Sequence, residues 1–572
     1  KCHAYGKRQG GFSIETRELL LMGSDNGPVV KPGQTRDSTF LHLLTTDDAD
    51  DRMPQKAGPL SAEKVKLLTA WVKAGLPWEE GFAFRHPKAE IAPRTVQLPG
   101  KEGDNPIDRL LQPYFDQHGT PKGATIDDRT FLHRAHLDII GLPPTPAQLE
   151  TFLQAPDRAK TIDALLADKD AYVAHWISFW NDILRNSYTR QYHGGNRYRL
   201  TNWLKAALAE NKPYDQFARE LLNPKGDATA FIDGIKWRGT VNSSQVVEMQ
   251  AAQNVAQVFL GLNLKCASCH DSFVNDWTLD QAYAFASVFA NSPMEKHRCD
   301  KPTGQKAPPQ FLYAEIGKID AAAPLPKRRA QLAALMTQPD NGRFARVIVN
   351  RLWHAYFGRG LVEPVDEMDE PPWHTDLLDW LAADLAAHKF DLKRTMRLIA
   401  TSKAYQMRTV NPVPDQKPAD YVFQGPLVRR LRAEQFLDAV AQLSEAANPP
   451  PKRPAFQRYG LRNLDPLQRI LGRPKRDQVA TTRDDQATTL QALELTNGSI
   501  LHKLVQNAGS RWASKVKEPD ALAQALYSNT LLRDPTPPEL QVTRDILGEA
   551  PTPNATADLI WALILQPEFQ LR

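Results

Sequence analysis

The chain has 572 residues, of which 42% are hydrophobic and 24% charged, with a net charge of +5. A chain of that length builds several domains, each able to bury a core, and the mixture is that of an ordinary globular protein. So small a charge excludes a dedicated nucleic-acid binder, no apolar run reaches the ~18–20 residues of a membrane span, and four cysteines cannot staple so long a chain. The basic runs RRLRAE (429–434) and RPKRD (473–477) are read as solvated helix faces or as partners of carboxylates.

The sequence opens KCHAYGKRQGG, without an initiator Met and in mid-motif, and is expected to be a fragment or a processed form. Cys2 is followed directly by His3; a complete C-x-x-C-H would need a further cysteine two residues ahead of Lys1. Residues 1–80 are expected to form a small first domain ending in SAEKVKLLTAWVKAGLPW. There Ser61 caps a helix, Val65, Leu68, Trp71 and Val72 recur at helical spacing, and Gly75 with Pro77 stops it. Just before it, DDADDRMPQKAGPLS places Met53 ahead of a proline in a polar loop. That is an odd place for a core methionine and a fitting one for a distal iron ligand opposite His3. A polar, proline-containing linker follows over 81–104.

The second domain, 105–300, is expected to be helical around 107–118, 127–139, 146–155, 159–167, 171–187 and 198–222. In SQVVEMQAAQNVAQVFLGLNLKCASCH, the apolar residues Val247, Ala251, Val255, Val258, Phe259 and Leu262 predict an amphipathic helix delivering Cys266 at its end. Beyond it Thr278 and Gln281 have capping-box spacing and should start another helix.

Cys266, Cys269 and His270 make C-x-x-C-H, the attachment motif of c-type haem. Two thiols at this spacing reach one porphyrin edge, and the adjacent imidazole reaches the iron. Three other readings stand beside it. Zinc wants four ligands, and no second pair of donors follows at a suitable spacing. A redox dithiol normally sits in a βαβ unit, which the pattern does not show. The third is chance. Haem is the reading taken. Its distal ligand is left between His297 and Met294 in NSPMEKHRCD, with Met249 read as helix core and His175 as packing. Cys299 reads as an incidental thiol rather than a ligand.

The third domain, 325–572, is expected to be helical, with proline-rich breaks at 411–418 and 448–454. Asn350, Arg351, Trp353, His354, Glu363, Asp366, Glu367 and His374 cluster in it. Such a set suits acid/base chemistry or a framework of buried ion pairs and caps; with no nucleophile beside it, the framework is favoured. DLIWALILQPEF reads as a core helix, strand patterns are scarce, and no repeat of fixed period appears. The expected fold class is mainly α: a small cytochrome c-like domain, then two helical domains, the middle one with its own C-x-x-C-H site.

Long motifs carry a resemblance. Cys2-His3, KRQGGFSIETRELLLMGSDNGPVVKPG and MPQKAGPLSAEKVKLLTAWVKAGLPW resemble the planctomycete-type cytochrome c domain. LDIIGLPPTPAQLETFL, NKPYDQFARELL and VFLGLNLKCASCHDSFVNDWTLDQAYAFASVFA resemble its companion cytochrome-like domain of unknown function. GRFARVIVNRLWHAYFGRGLVEPVDEMDEPPWHTDLLDWLA, RRLRAEQFLDAV and ILGRPKRD resemble the C-terminal domain of the same proteins. The resemblance implies an extracytoplasmic (periplasmic or cell-surface) protein with two haem c groups, one on Cys2, His3 and Met53, the other on Cys266, Cys269 and His270. Members often continue the second motif with a further histidine; Ser272 stands there in this chain.

The function expected is electron transfer with a redox partner protein, alone or as the redox arm of an oxidoreductase linked to polysaccharide catabolism. Two alternatives are a haem-containing enzyme acting on a carbohydrate through the C-terminal domain, and a non-catalytic binding or assembly protein. A pocket converging Asp366, His374 and Trp353 would favour the enzyme.

Overall fold

The structure, a computed structural model, describes residues 3–4, 9–55, 58–80, 82, 84, 90–101, 103–119, 125–187, 197–236, 245–272, 274–414, 416, 418–447, 456–484 and 486–572. The described chain is mainly α, and its one hairpin pairs Met294–Arg298 with Lys301–Ala307. The chain forms two compact units: 1–89 with 239–252 and 263–312, and 90–238 with 253–262 and 313–572. The stretch 105–300 is thereby shared between the two.

In the first unit, the helices Arg17–Met22, Thr39–Thr45 and Ala62–Lys73 start where the hydroxyls of Thr16, Ser38 and Ser61 accept the N–H groups of Leu19, Leu41 and Lys64. Gly75, at φ +89°, follows the third helix, as its position predicts. Leu20, Val30, Leu41, Val72 and Leu76 are buried together, with Phe12, Phe40 and Trp71 packed against them. In the same unit the capping box of Thr278 and Gln281 opens the helix Leu279–Ala286.

The helix expected to deliver Cys266 stops short. Regular α-helix covers Val247–Val255, one wider turn covers Ala256–Leu260, and Gly261 ends it in the left-handed region. Cys266 begins a separate tight turn. The apolar periodicity continues through Leu262, but periodicity cannot register the break that Gly261 imposes.

In the second unit Pro106–His118, Asp128–Ile139, Pro146–Gln154 and Arg158–Ala167 form where expected. Lys169–Ile183 ends before 187, at Arg185, whose φ is +55°. The segment 198–222 is two helices, Arg197–Ala209 and Tyr214–Leu222. Asn211 at φ +50° and Pro213, which lacks an N–H, separate them. Gly342–Phe357 is buried on nearly every face. Three of its arginines bond carbonyls of other segments: Arg343 that of Leu260, Arg351 those of Val258 and Gln257, and Arg346 that of Ala92. Ser499–Lys515 crosses Pro553–Ile564 so closely that a Cβ on Gly509 would lie 2.7 Å from the amide nitrogen of Ala557.

Arginines of both basic runs turn inward, while Lys475 is exposed. Arg473 meets Glu434 at 3.0 Å and Arg476 meets Asp182 at 2.6 Å, while Arg429 donates to the carbonyl of Tyr356. They partner carboxylates and carbonyls rather than face solvent.

Candidate haem sites

Cys266–Ser268 is a single 3₁₀ turn, continued by an N–H of Cys269 that donates to the carbonyl of Cys266 at 3.1 Å. At three residues per turn, side chains i and i+3 eclipse. The turn therefore sets Cys266 and Cys269 in line, half-exposed, while Ala267 and Ser268 between them are buried. None of Cys266, Cys269 and Cys299 forms a disulfide among the described residues. The His270 ring approaches the carbonyl of Asp271 with Nδ1 at 2.7 Å. A proton on Nδ1 satisfies that carbonyl and puts the lone pair on Nε2, the tautomer a metal-binding imidazole needs.

The surroundings hold this turn in place. The side-chain oxygen of Asp271 accepts the N–H of Leu279 at 2.9 Å, the amide of Asn275 donates to the carbonyl of Asn263 at 3.0 Å, and the buried Ser272 hydroxyl accepts the N–H groups of Val274 and Asn275. Ser272 is thus a turn residue. The N–H of Cys299 donates to the carbonyl of Cys269 at 2.9 Å, pinning the hairpin to the motif. Register slips between Glu295 and His297, so Lys296 and His297 both turn inward where strict alternation would expose one of them. Nδ1 of His297 is buried with no hydrogen-bond partner among the described residues. Tyr283 lies by the backbone of His297; burial, with Cys269 as a neighbouring charge, pushes its hydroxyl up to about 12. The sequence reading passed over Asp271 and Tyr283. Their only signal was position, one beside the motif and one five residues into the capped helix.

At the other site Cys2 lies outside the described residues. His3 is half-buried, its ring 5.2 Å from that of Phe12 and its Nδ1 3.2 Å from the carbonyl of Phe12. This is the same anchoring as at His270. Its own carbonyl accepts the N–H of Ile14 at 2.6 Å. Met53 is half-buried, its N–H donating to the carbonyl of Leu43 at 2.7 Å. A groove of 710 Å³ runs between the helices Thr39–Thr45 and Ala62–Lys73, with Arg52 on its wall; His3 and Met53 do not line it.

The remaining candidates have ordinary partners. Met249 is fully buried in its helix, and Met294 is half-buried in the hairpin. His175 packs in the second unit against Trp176 and so close to Gly141 that a Cβ there would meet its Nδ1 at 2.2 Å. Burial holds its pKa well below the usual imidazole value. Cys299 is exposed.

Asp366, His374 and Trp353 do not converge. Asp366 accepts from Arg351, Gln257 and Thr481; His374 caps Thr375–Ala387 and bonds the carbonyl of Leu110; Trp353 is buried, stacked 4.0 Å from Phe357. Asn350 bonds Val362 in both directions, and Glu363 receives the N–H of Gly360 and faces His354 at 3.0 Å. The N–H of Glu367 donates to the carbonyl of Pro364 at 2.9 Å. The cluster is a framework.

The donors suit haem better than a bare ion. Among the described residues no three His, Cys, Asp or Glu side chains gather as a metal cage. Zinc needs three or four protein donors, whereas a porphyrin brings four nitrogens and asks only for axial ligands and two thiols.

Mainly helical, with a cysteine–histidine start and a C-x-x-C-H turn, the chain is a cytochrome-like protein. It has the domain architecture of the planctomycete cytochrome c proteins. Planctomycete cytochrome C (PSCyt1) matches residues 1–56, the protein of unknown function DUF1549 (PSCyt2) matches 106–294, and the protein of unknown function DUF1553 (PSD1) matches 328–547. No curated protein and no solved structure matches the chain.

Proposed function

We propose that the chain is an exported c-type cytochrome with two haem c groups that passes electrons to a protein redox partner. The first group would use Cys2, His3 and Met53, the second Cys266, Cys269 and His270 with His297 as distal ligand. When bound, haem c cycles between ferric and ferrous iron and moves one electron at a time. One observation carries the reading: each histidine that directly follows a cysteine rests its Nδ1 on a backbone carbonyl, which presents Nε2 as the ligand atom. At the second site the eclipsed cysteines offer two sulfurs to one edge, and the hairpin brings the half-buried His297 beside the motif.

His297 is preferred to Met294 because the register slip turns it inward and its buried Nδ1 lacks a partner. Held by His270 and His297, the second haem would have a lower potential than one held by His3 and Met53. Electrons would then run from the second site to the first. No helix among the described residues is long and apolar enough to cross a membrane.

The test is expression in a periplasm equipped for cytochrome c maturation. The protein should give a haem stain that survives denaturing electrophoresis. Cys266→Ala with Cys269→Ala should remove the second haem. A purified protein that carries zinc and shows no Soret band would overturn the proposal.

A further inference from the structure

The second unit contains an open groove of 1050 Å³, just above the ~300–1,000 Å³ of ligand clefts. Three aromatic rings wall it: Tyr114 from Pro106–His118, Trp373 just before Thr375–Ala387, and Tyr421. The rings are fixed in advance. Trp373 lies 5.2 Å from the buried Phe423 and only 7° off parallel, and its indole N–H donates to the carbonyl of Gly360 at 3.1 Å. The Tyr114 hydroxyl accepts the N–H of Phe423 at 3.0 Å. Arg359 sits 4.2 Å over the Tyr421 ring. The rim is polar, with the exposed side chains of Gln97, Gln117 and Glu370.

We propose that this groove binds a neutral oligosaccharide. A pyranose has a flat face of C–H bonds and an edge of hydroxyls that both donate and accept. The flat face stacks on indole and phenol rings, and the hydroxyls bond planar amides and carboxylates, which is the division of labour between wall and rim here. Rings locked before binding lose little freedom on contact.

The competing occupant is a proline-rich extended peptide, which also docks on aromatic grooves. Such a peptide presents mainly carbonyl acceptors and needs donors from its host. The indole N–H of Trp373 is committed to Gly360, and Glu370 adds an acceptor to the rim. Sugar hydroxyls satisfy that carboxylate; peptide carbonyls do not. A cationic ligand is disfavoured because Arg359 already takes the Tyr421 ring. The inference concerns the second unit alone and does not depend on haem loading.

The experiment uses the whole protein in native affinity electrophoresis, through gels containing xylan, galactomannan, laminarin or hydroxyethyl cellulose. Tryptophan fluorescence is then titrated with the matching tri- to hexasaccharides and, separately, with a proline-rich decapeptide. Retardation by at least one glycan is expected, with Tyr421→Ala and Glu370→Gln each weakening it about tenfold or less. Trp373→Ala also strips Phe423 of its stacking partner, so it is read beside Gln117→Ala and Glu370→Gln, which alter exposed side chains only. No retardation in any gel, binding unmoved by all four variants, or binding of the peptide in place of the glycans would overturn the proposal.

Discussion

The backbone N–H of Cys299 donates to the carbonyl of Cys269 at 2.9 Å, so the tip of the hairpin is fastened to the second cysteine of the C-x-x-C-H turn. Cys299 holds φ at +55°, a region that costs an L-residue roughly 1–2 kcal/mol and a glycine nothing. The bond uses the backbone and the thiol is exposed. Cys299→Gly should therefore keep the haem stain and raise stability by about 1 kcal/mol. Cys299→Pro, which forbids both the φ and the N–H, should lower the haem yield and thermal stability. A stain lost in the glycine variant would make the thiol a ligand after all.

His297 and Met294 lie on one strand three residues apart, and spectra separate them. Under the proposed ligation, His297→Ala should convert the second haem from low-spin to high-spin, with a changed Soret position. His297→Met should restore a low-spin spectrum at a higher potential, because a thioether favours ferrous iron. Met294→Ala should leave both spectrum and potential unchanged. Spectra that respond to Met294→Ala and not to His297→Ala would exchange the two roles.

Gly261 closes the helix that precedes the motif at φ +60°, where an added Cβ would lie 2.4 Å from Cγ of Met368. The N–H of Met368 also donates to the carbonyl of Gly261 at 3.0 Å, so the two cannot simply separate. Gly261→Ala adds a backbone cost to overpacking, together about 2–4 kcal/mol. Urea unfolding would read it as a lower midpoint with an unchanged slope. Gly261→Ala should cost less in a Met368→Ala background than in the parent, the difference being the packing share.

Caps and composition were legible in the chain because they act locally. Ser61 and the Thr278–Gln281 box do what their spacing predicts. Cys266, Cys269 and His270 could be picked out because one 3₁₀ turn sets their geometry. The inward turn of His297 was not legible, since a register slip depends on the partner strand. The split at Asn211 did have a local signal, Pro213 two residues on, which the expectation of one helix over 198–222 passed over. The Arg473 and Arg476 partners lie some 40 to 290 residues away, at Glu434 and Asp182, and no local pattern encodes such pairs. The grooved wall of Tyr114, Trp373 and Tyr421 escaped for the same reason.

That distant pairing makes stability depend on pH. Glu434 is buried among Arg483, Arg473 and the Ser178 hydroxyl. Burial alone would raise its pKa; the charges of Arg483 and Arg473 outweigh that and hold it well below the carboxylate range. A carboxylate depressed in the fold lends stability that is fully present above its unfolded value, about 4.5, and lost as pH falls through the folded value. Asp438 works the other way: burial raises it despite Arg458, so protonation there relieves a cost as pH falls. The Glu434 network is the larger, with Arg483 also reaching Asp182 at 2.6 Å. The second unit should therefore lose stability progressively below about pH 4.5, followed by tryptophan fluorescence in urea. Glu434→Gln should cost about 3–5 kcal/mol at pH 7, by leaving buried guanidinium groups short of a counter-charge, and should flatten the acid limb. An acid limb as steep in Glu434→Gln as in the parent would assign it to other carboxylates.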